Sequence, residues 1–157
     1  MLRILTLCHG NICRSPLAEV LIEAAINADP LLVGRVAVSS AGTSSEHAGE
    51  GMHANSAAIL GARGLRTAHR ARPFTPAMAT TLDLVLAADQ ANLRNGRAII
   101  RMADMQPEIR LLRDFDPTAV GRDLDDPWGY PSAEYERTAA EIAAAIPGLL
   151  AELRDRI

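Results

Sequence analysis

The sequence predicts an α/β fold in which a four-stranded parallel sheet carries helices on both faces. Short apolar segments of strand length alternate along the chain with longer helical segments, and this alternation is typical of βαβ units. A chain of 157 residues can bury an adequate core without disulfides or metals. No linker, low-complexity tract or internal repeat interrupts the pattern, so we expect one domain over residues 1–157.

The first βα unit consists of a strand, a loop and a helix. Residues 2–7 form a short apolar run, which predicts a strand, and the turn-forming residues 10–11 end it. Ser15 matches an N-cap and Pro16 the first helical position, which predicts a helix over residues 17–28.

The other predicted elements continue this alternation, and ligands in such sheets bind beyond the carboxyl ends of the strands. The remaining predicted strands cover residues 36–40, 82–87 and 109–112. The remaining predicted helices cover residues 54–63, 89–95 and 134–153, the last with a break or kink at Pro147 and Gly148.

The composition argues against several classes of protein. The net charge is -3, and the basic residues, all of them Arg, are scattered among a slight excess of acidic residues. This pattern lacks the basic field of a nucleic-acid-binding protein. We find no apolar run of ~18 residues that would span a membrane and no signal-peptide pattern. We therefore expect a cytoplasmic protein that binds neither nucleic acid nor membrane.

The residues best suited to chemistry lie between the first strand and the first helix, where Cys8 and Arg14 are six positions apart. A strand that passes through a tight loop into a helix turns successive N–H groups toward one point, which favours a bound dianion. The same field favours the thiolate form of Cys8, and Arg14 would add a bidentate donor. The spacing alone fits equally well a buried structural cysteine beside a surface cation.

The wider motif resembles a known family. Residues 8–16 spell Cys-His-Gly-Asn-Ile-Cys-Arg-Ser-Pro, which is similar to the phosphate loop of low-molecular-weight protein-tyrosine phosphatases. The resemblance continues through residues 40–43, 69–72, 83–89 and 126–127. It implies the phosphotyrosine phosphatase I-like fold, a three-layer α/β/α arrangement. It also implies hydrolysis of phosphotyrosine in a phosphoprotein through a cysteinyl-phosphate intermediate, with neither a cofactor nor a metal ion.

The resemblance also implies catalytic roles. Cys8 is the implied nucleophile, Arg14 the group that stabilises the equatorial oxygens, and Asp126 the general acid that later activates water. The residues implied to bind the phosphate group are His9, Gly10, Asn11, Ile12, Cys13, Arg14 and Ser15.

Further matched positions lie around the loop. Asn11, Ser40 and His69 match family residues that support the loop through hydrogen bonds, and Ser15 matches a hydroxyl that stabilises the thiolate. Cys13 matches a neighbouring thiol that traps the oxidised nucleophile as a reversible disulfide, and is the expected redox partner. The alternatives to these supporting roles are a helix cap, a turn and a histidine whose hydrogen bonds are satisfied locally. For Cys13 the alternative is an inert buried thiol.

The expected cleft wall departs from the family pattern. Family members that act on aryl phosphates usually place aromatic side chains there, whereas we expect a wall of Glu46, His47, Trp128 and Tyr130. Gly129 stands where a second aromatic residue is usual. A substrate ring would therefore have fewer faces to stack on.

Three other functions remain open at this point. A protein-arginine phosphatase has a similar segment after Asp-Pro, but the branched Ile12 would crowd a guanidinium and favours phosphotyrosine. Arsenate reductases of this fold pass the oxidation to further cysteines, and this chain has none after Cys13. A non-catalytic phosphate-binding module is the third alternative. We expect a monomer or a weak dimer.

Overall fold

The computed structural model describes residues 1–157, and its centre is a parallel sheet. The strands are β1 (Leu2–Cys8), β2 (Val36–Gly42), β3 (Leu84–Ala87) and β4 (Glu108–Leu111). Their order across the sheet is β2-β1-β3-β4, with every neighbouring pair parallel. This confirms the predicted four-stranded parallel sheet.

Helices connect the strands. The α-helices are α1 (Arg14–Asn27), α2 (Ala54–Ala62), α3 (Pro76–Ala79), α4 (Gln90–Ile100) and α5 (Ser132–Asp155), and a 3-10 helix covers Leu112–Phe115. No helix combines the length and the apolar character that crossing a bilayer would need.

Both faces of the sheet are buried, which explains why β1 is a nearly continuous apolar run. On one face, Ile4 of β1 belongs to a core with residues of α1, α2 and α5. On the other face, Leu5 and Leu7 pack in a second core with residues of α3 and α4. The alternation of side chains along β1 therefore serves two cores.

The strand order places the loop after β1 at a favourable position. The chain leaves β1 toward β2 on one side and reaches β3 on the other. Such a reversal of strand order opens a crevice beyond the carboxyl ends of the strands, where ligands bind in open α/β sheets. Cys8, the last residue of β1, lies at this edge.

The start of α1 differs from the prediction. The helix begins at Arg14 after an N-cap residue, Cys13, that makes no side-chain capping bond. Pro16 is consequently the third helical residue, and Ser15 is not the cap. Its hydroxyl lies instead 3.0 Å from the sulfur of Cys8. The Ser15 side chain therefore makes a tertiary contact and does not cap the helix.

Other boundaries also differ. Asp89 caps α4 by accepting a hydrogen bond from the amide of Asn92 at 2.8 Å, and this helix extends to Ile100 rather than residue 95. Neither α3 nor the 3-10 helix was predicted, because each is only four residues long.

The helix does not break at Pro147 and Gly148, because α5 continues through both residues; the alternative of a kink stays a prediction. The glycine serves packing instead. A Cβ atom on Gly148 would lie 2.1 Å from the carbonyl oxygen of Phe115. Gly148 therefore allows α5 to approach the backbone that follows β4.

We expect Gly148→Ala to lower the free energy of unfolding by about 2 kcal/mol, because the added methyl group meets rigid backbone. Gly61→Ala in α2 is the matched control, since the nearest atom to its Cβ would be 4.0 Å away. Urea denaturation measures both variants. Equal stability of the two variants would contradict this account of the α5 packing.

Candidate active site

The loop from Cys8 to Arg14 has an unusual backbone. Asn11 has a φ of 58°, and no other non-glycine residue of the chain has a positive φ. Such a conformation costs free energy and persists where surrounding contacts enforce it. Asn11 is fully buried, so its neighbours can supply these contacts.

The side chain of Asn11 is bonded at both ends. Its Nδ2 donates to Ser15 Oγ at 2.8 Å and to Ser40 Oγ at 3.0 Å. Its Oδ1 accepts from the amide of Arg72 at 3.0 Å. Its carbonyl oxygen accepts from His69 Nε2 at 2.7 Å. The structure thus brings Asn11, Ser40 and His69 together under the loop.

The loop also carries unused backbone donors. None of the N–H groups from His9 to Cys13 donates a hydrogen bond within the protein. The N–H groups of Arg14 and Ser15 belong to the first turn of α1, where helices offer no internal acceptor. Consecutive free donors at a helix N-terminus form a site for a tetrahedral anion.

Arg14 is the residue at which the loop ends and α1 begins. Its guanidinium is buried, and Nη1 donates to Asp89 Oδ2 and to the carbonyl oxygen of Leu124, both at 2.7 Å. Burial alone would lower the pKa of Arg14, but the charge of Cys8 and the bond to Asp89 outweigh it and raise that pKa. Arg14 is therefore a fixed positive charge.

Asp126 stands opposite Arg14. Its side chain is 52% exposed, and Oδ2 lies 3.8 Å from Nη2 of Arg14. Its other oxygen, Oδ1, accepts a hydrogen bond from the amide of Trp128 at 3.2 Å. The adjacent Asp125 pairs instead with Arg137 at 3.6 Å. Of these two carboxylates, only that of Asp126 faces Arg14.

A cleft of about 490 Å³ opens above the loop. Its lining residues are Cys8, His9, Gly10, Ile12, Cys13, Arg14, Glu46, His47, Asp126 and Trp128. Asn11 and Ser15 are buried behind it. The side chains of these two residues lie beneath the loop rather than in the cleft.

Tyr130 does not line this cleft, which corrects the prediction that it forms part of the wall. It borders an adjoining depression together with Asp125 and Arg137, and Asp126 lines both cavities. A tight turn explains this placement, since the amide of Tyr130 donates to the carbonyl oxygen of Pro127 and Gly129 has a φ of 84°. The turn directs the two aromatic residues to different cavities.

Two histidine–glutamate pairs lie at the side of the cleft where the sequence lacks the usual aromatic residues. His9 Nε2 lies 2.8 Å from Glu46 Oε2, and His47 Nδ1 lies 2.7 Å from Glu50 Oε2. A Cβ atom on Gly10 would lie 2.8 Å from Cδ2 of His47, so glycine allows the histidine ring to lie against the loop.

Cys13 differs in environment from Cys8. Both cysteines are free and buried. The sulfur of Cys13 lies 3.6 Å from the hydroxyl of Tyr135, whose ring stacks on His53 at 4.8 Å. Burial raises the pKa of Cys13 to about 11, so this thiol stays protonated at neutral pH.

Sequence reasoning missed Asp89 and Tyr135, which lie beside Arg14 and Cys13 respectively. The signal for Asp89 was its place two residues after the end of β3, the strand beside β1. The sequence offered no comparable signal for Tyr135, which comes from α5. No group of three or more potential ligands is arranged to hold a metal ion.

These features define a class of site. A thiol at the end of a central strand, a ring of free amides and a buried guanidinium together suit covalent transfer of a phosphoryl group. An exposed carboxylate is within reach to move protons.

Comparisons with known proteins agree with this class. The family model for low molecular weight phosphotyrosine protein phosphatases matches residues 3–157. A low molecular weight protein-tyrosine-phosphatase of Streptomyces coelicolor is 38% identical over 99% of this chain and 95% of its own length. This chain belongs to the low molecular weight phosphotyrosine protein phosphatase family, which confirms the resemblance described above.

Two solved structures of Bacillus subtilis proteins share the fold. YfkJ superposes with a TM-score of 0.88 at 27% identity, over 99% of this chain and 96% of its own. The YwlE arginine phosphatase superposes with a TM-score of 0.83 at 25% identity, over 97% of this chain and 95% of its own. The fold therefore occurs in a protein named as an arginine phosphatase as well as in one named as a protein tyrosine phosphatase.

Proposed function

We propose that this protein hydrolyses phosphotyrosine in phosphoproteins, with Cys8 as the nucleophile. One observation carries the proposal: the sulfur of Cys8 stands at the end of β1 beside consecutive free amides and the fixed charge of Arg14. This environment attracts a phosphate dianion to the sulfur that attacks it.

The first step transfers the phosphoryl group to the enzyme. The Cys8 thiolate attacks phosphorus, and the bond between phosphorus and the tyrosyl oxygen breaks. Arg14 and the loop amides of residues 9–15 stabilise the charge on the equatorial oxygens. Asp126 donates a proton to the leaving tyrosyl oxygen, so the tyrosine leaves as a neutral phenol.

The second step regenerates the enzyme. Asp126, now a carboxylate, accepts a proton from a water molecule that attacks the cysteinyl phosphate. The bond between sulfur and phosphorus breaks, inorganic phosphate leaves, and Cys8 returns to a thiolate. The 52% exposure of Asp126 supports this role, because its carboxylate can exchange protons with solvent.

The choice of phosphotyrosine rests on the cleft itself. Ile12, which is 8% exposed, borders the cleft and offers no acceptor to a guanidinium. Trp128, which is 59% exposed, supplies one aromatic face for a phenol ring. The similarity to an arginine phosphatase structure keeps phosphoarginine as the second candidate substrate.

We propose further that the protein acts in the cytoplasm as a monomer or a weak dimer, with residues 1–157 as one domain. The nucleophilic Cys8 must remain reduced, and a reducing compartment provides this. Cys13 as the redox partner of Cys8 stays a prediction. Its location in the same loop supports it, and burial, which raises the pKa of Cys13 to about 11, favours the thiol form.

The first test concerns the proton donor. Asp126→Asn removes the proton needed by a poor leaving group, so kcat/KM for phenyl phosphate falls by about 10²- to 10⁴-fold. For a substrate with a good leaving group, such as para-nitrophenyl phosphate, the loss is smaller. Asp125→Asn is the matched control and leaves both values near wild type. Equal losses for both substrates would remove Asp126 as the acid.

The second test concerns the substrate. We expect kcat/KM for phosphotyrosine peptides to exceed that for phosphoarginine and phosphoserine peptides by more than about tenfold. Ile12→Thr shifts the ratio toward phosphoarginine. A wild-type preference for phosphoarginine would establish the second candidate. Arsenite formation from arsenate with thioredoxin, or tight phosphate binding without hydrolysis, would point to the remaining alternatives.

A further inference from the structure

One carboxylate at the mouth of the cleft has an oxygen without a partner. Glu46 lines the cleft together with His9, and its side chain is 63% exposed. Its Oε2 lies 2.8 Å from His9 Nε2, and because a carboxylate only accepts, the imidazole is the donor. The other oxygen, Oε1, makes no hydrogen bond within the protein. It is therefore free to accept one from a bound ligand.

Backbone hydrogen bonds fix the position of Glu46 relative to Cys8. The amide of Thr43 donates to the carbonyl oxygen of Cys8 at 2.8 Å, and the amide of Ser44 donates to that of His9 at 3.0 Å. The Ser44 hydroxyl donates to the same oxygen of His9 at 3.1 Å. The segment that carries Glu46 is thus held against the first residues of the phosphate loop. A peptide whose phosphate group is bound by that loop brings its neighbouring residues close to Glu46.

No arginine neutralises Glu46. The arginine that lines the cleft is Arg14, whose side chain is 3% exposed and whose charge faces the phosphate site. Arg70 approaches the same segment at Gly49, where a Cβ atom would lie 3.9 Å from its Nη2. It forms no ion pair with Glu46, whose partner is His9. An imidazole neutralises a carboxylate only when it is protonated, so Glu46 has no permanent cation beside it.

The other carboxylates around the cleft have arginine partners. Asp126, the second carboxylate that lines the cleft, lies 3.8 Å from Arg14. In the adjoining depression, Arg137 lies between 3.0 and 3.7 Å from three carboxylates, those of Asp125, Glu134 and Glu141. Glu46 is therefore the carboxylate of the cleft that is best placed to bind a cation of the substrate.

We propose that Glu46 is a specificity-determining residue that favours phosphopeptides with an arginine or lysine next to the phosphotyrosine. The inference deepens the function proposed above and rests on it. The cationic side chain of the substrate donates a hydrogen bond to the free Oε1 of Glu46, whereas an acidic side chain in that place meets a like charge. Because Glu46 is exposed, the selectivity is modest and decreases with salt.

The experiment uses three phosphotyrosine peptides that differ only in the two residues flanking the phosphotyrosine, which are arginine, glutamine or glutamate. The value of kcat/KM is measured at about pH 8, where an ordinary imidazole is largely uncharged, and at about 0.02 M and about 0.3 M salt. The variants of the full chain are Glu46→Gln, Glu46→Lys and Glu50→Gln. The last is the matched control, because Glu50 pairs with His47 in the same segment but does not line the cleft.

The measured quantity is the ratio of kcat/KM for the arginine peptide to that for the glutamate peptide. We expect a ratio of about fivefold in wild type at the lower salt, which decreases toward one at the higher salt. Glu46→Gln lowers the ratio about threefold, Glu46→Lys inverts it, and Glu50→Gln leaves it near the wild-type value. The ratio does not depend on the fraction of folded protein, so a poorly folding variant still gives a result.

A wild-type ratio at or below one overturns the inference, as does an unchanged ratio in Glu46→Gln. An equal decrease in Glu50→Gln also overturns it, since it would indicate a diffuse field and not a contact with Glu46. The proposed function fails by a different result, the absence of turnover for all three phosphotyrosine peptides. In that case, the dissociation constants of the same peptides for Cys8→Ser still show whether Glu46 favours the basic flank.

Discussion

The site depends on one constraint, the left-handed backbone of Asn11 in the middle of the loop. Its φ of 58° lets the chain turn from β1 into α1 within a few residues and leaves consecutive amides without partners in the protein. Such a conformation costs of order 1 to 3 kcal/mol. The hydrogen bonds that Asn11 accepts from His69 and Arg72, and those that it donates to Ser15 and Ser40, offset that cost.

The sheet explains why this loop lies where chemistry is possible. β1 is central and buried on both faces, so its last residue is held by two cores. Asp89, which fixes the guanidinium of Arg14, lies two residues after the end of the neighbouring strand β3. Rigid elements thus position the charged groups, while Asp126 comes from an exposed segment and can exchange protons with solvent.

Much of this could be predicted from the sequence, because the strands and the loop are encoded locally. The apolar run of β1 and the motif after it are contiguous in the chain. Contacts between distant segments were less accessible. A tertiary contact with Cys8 overrode the expected cap at Ser15, and a turn at Gly129 moved Tyr130 out of the cleft.

The most direct test of the account is detection of a covalent intermediate on Cys8. A phosphotyrosine peptide is mixed with the protein, the reaction is stopped within milliseconds by denaturant at neutral pH, and the peptides are analysed by mass spectrometry. We predict a phosphoryl group on the Cys8 side chain, retained in Cys13→Ala and absent in Cys8→Ser. Steady turnover with no phosphoryl group on Cys8, or undiminished turnover by Cys8→Ser, would contradict the account.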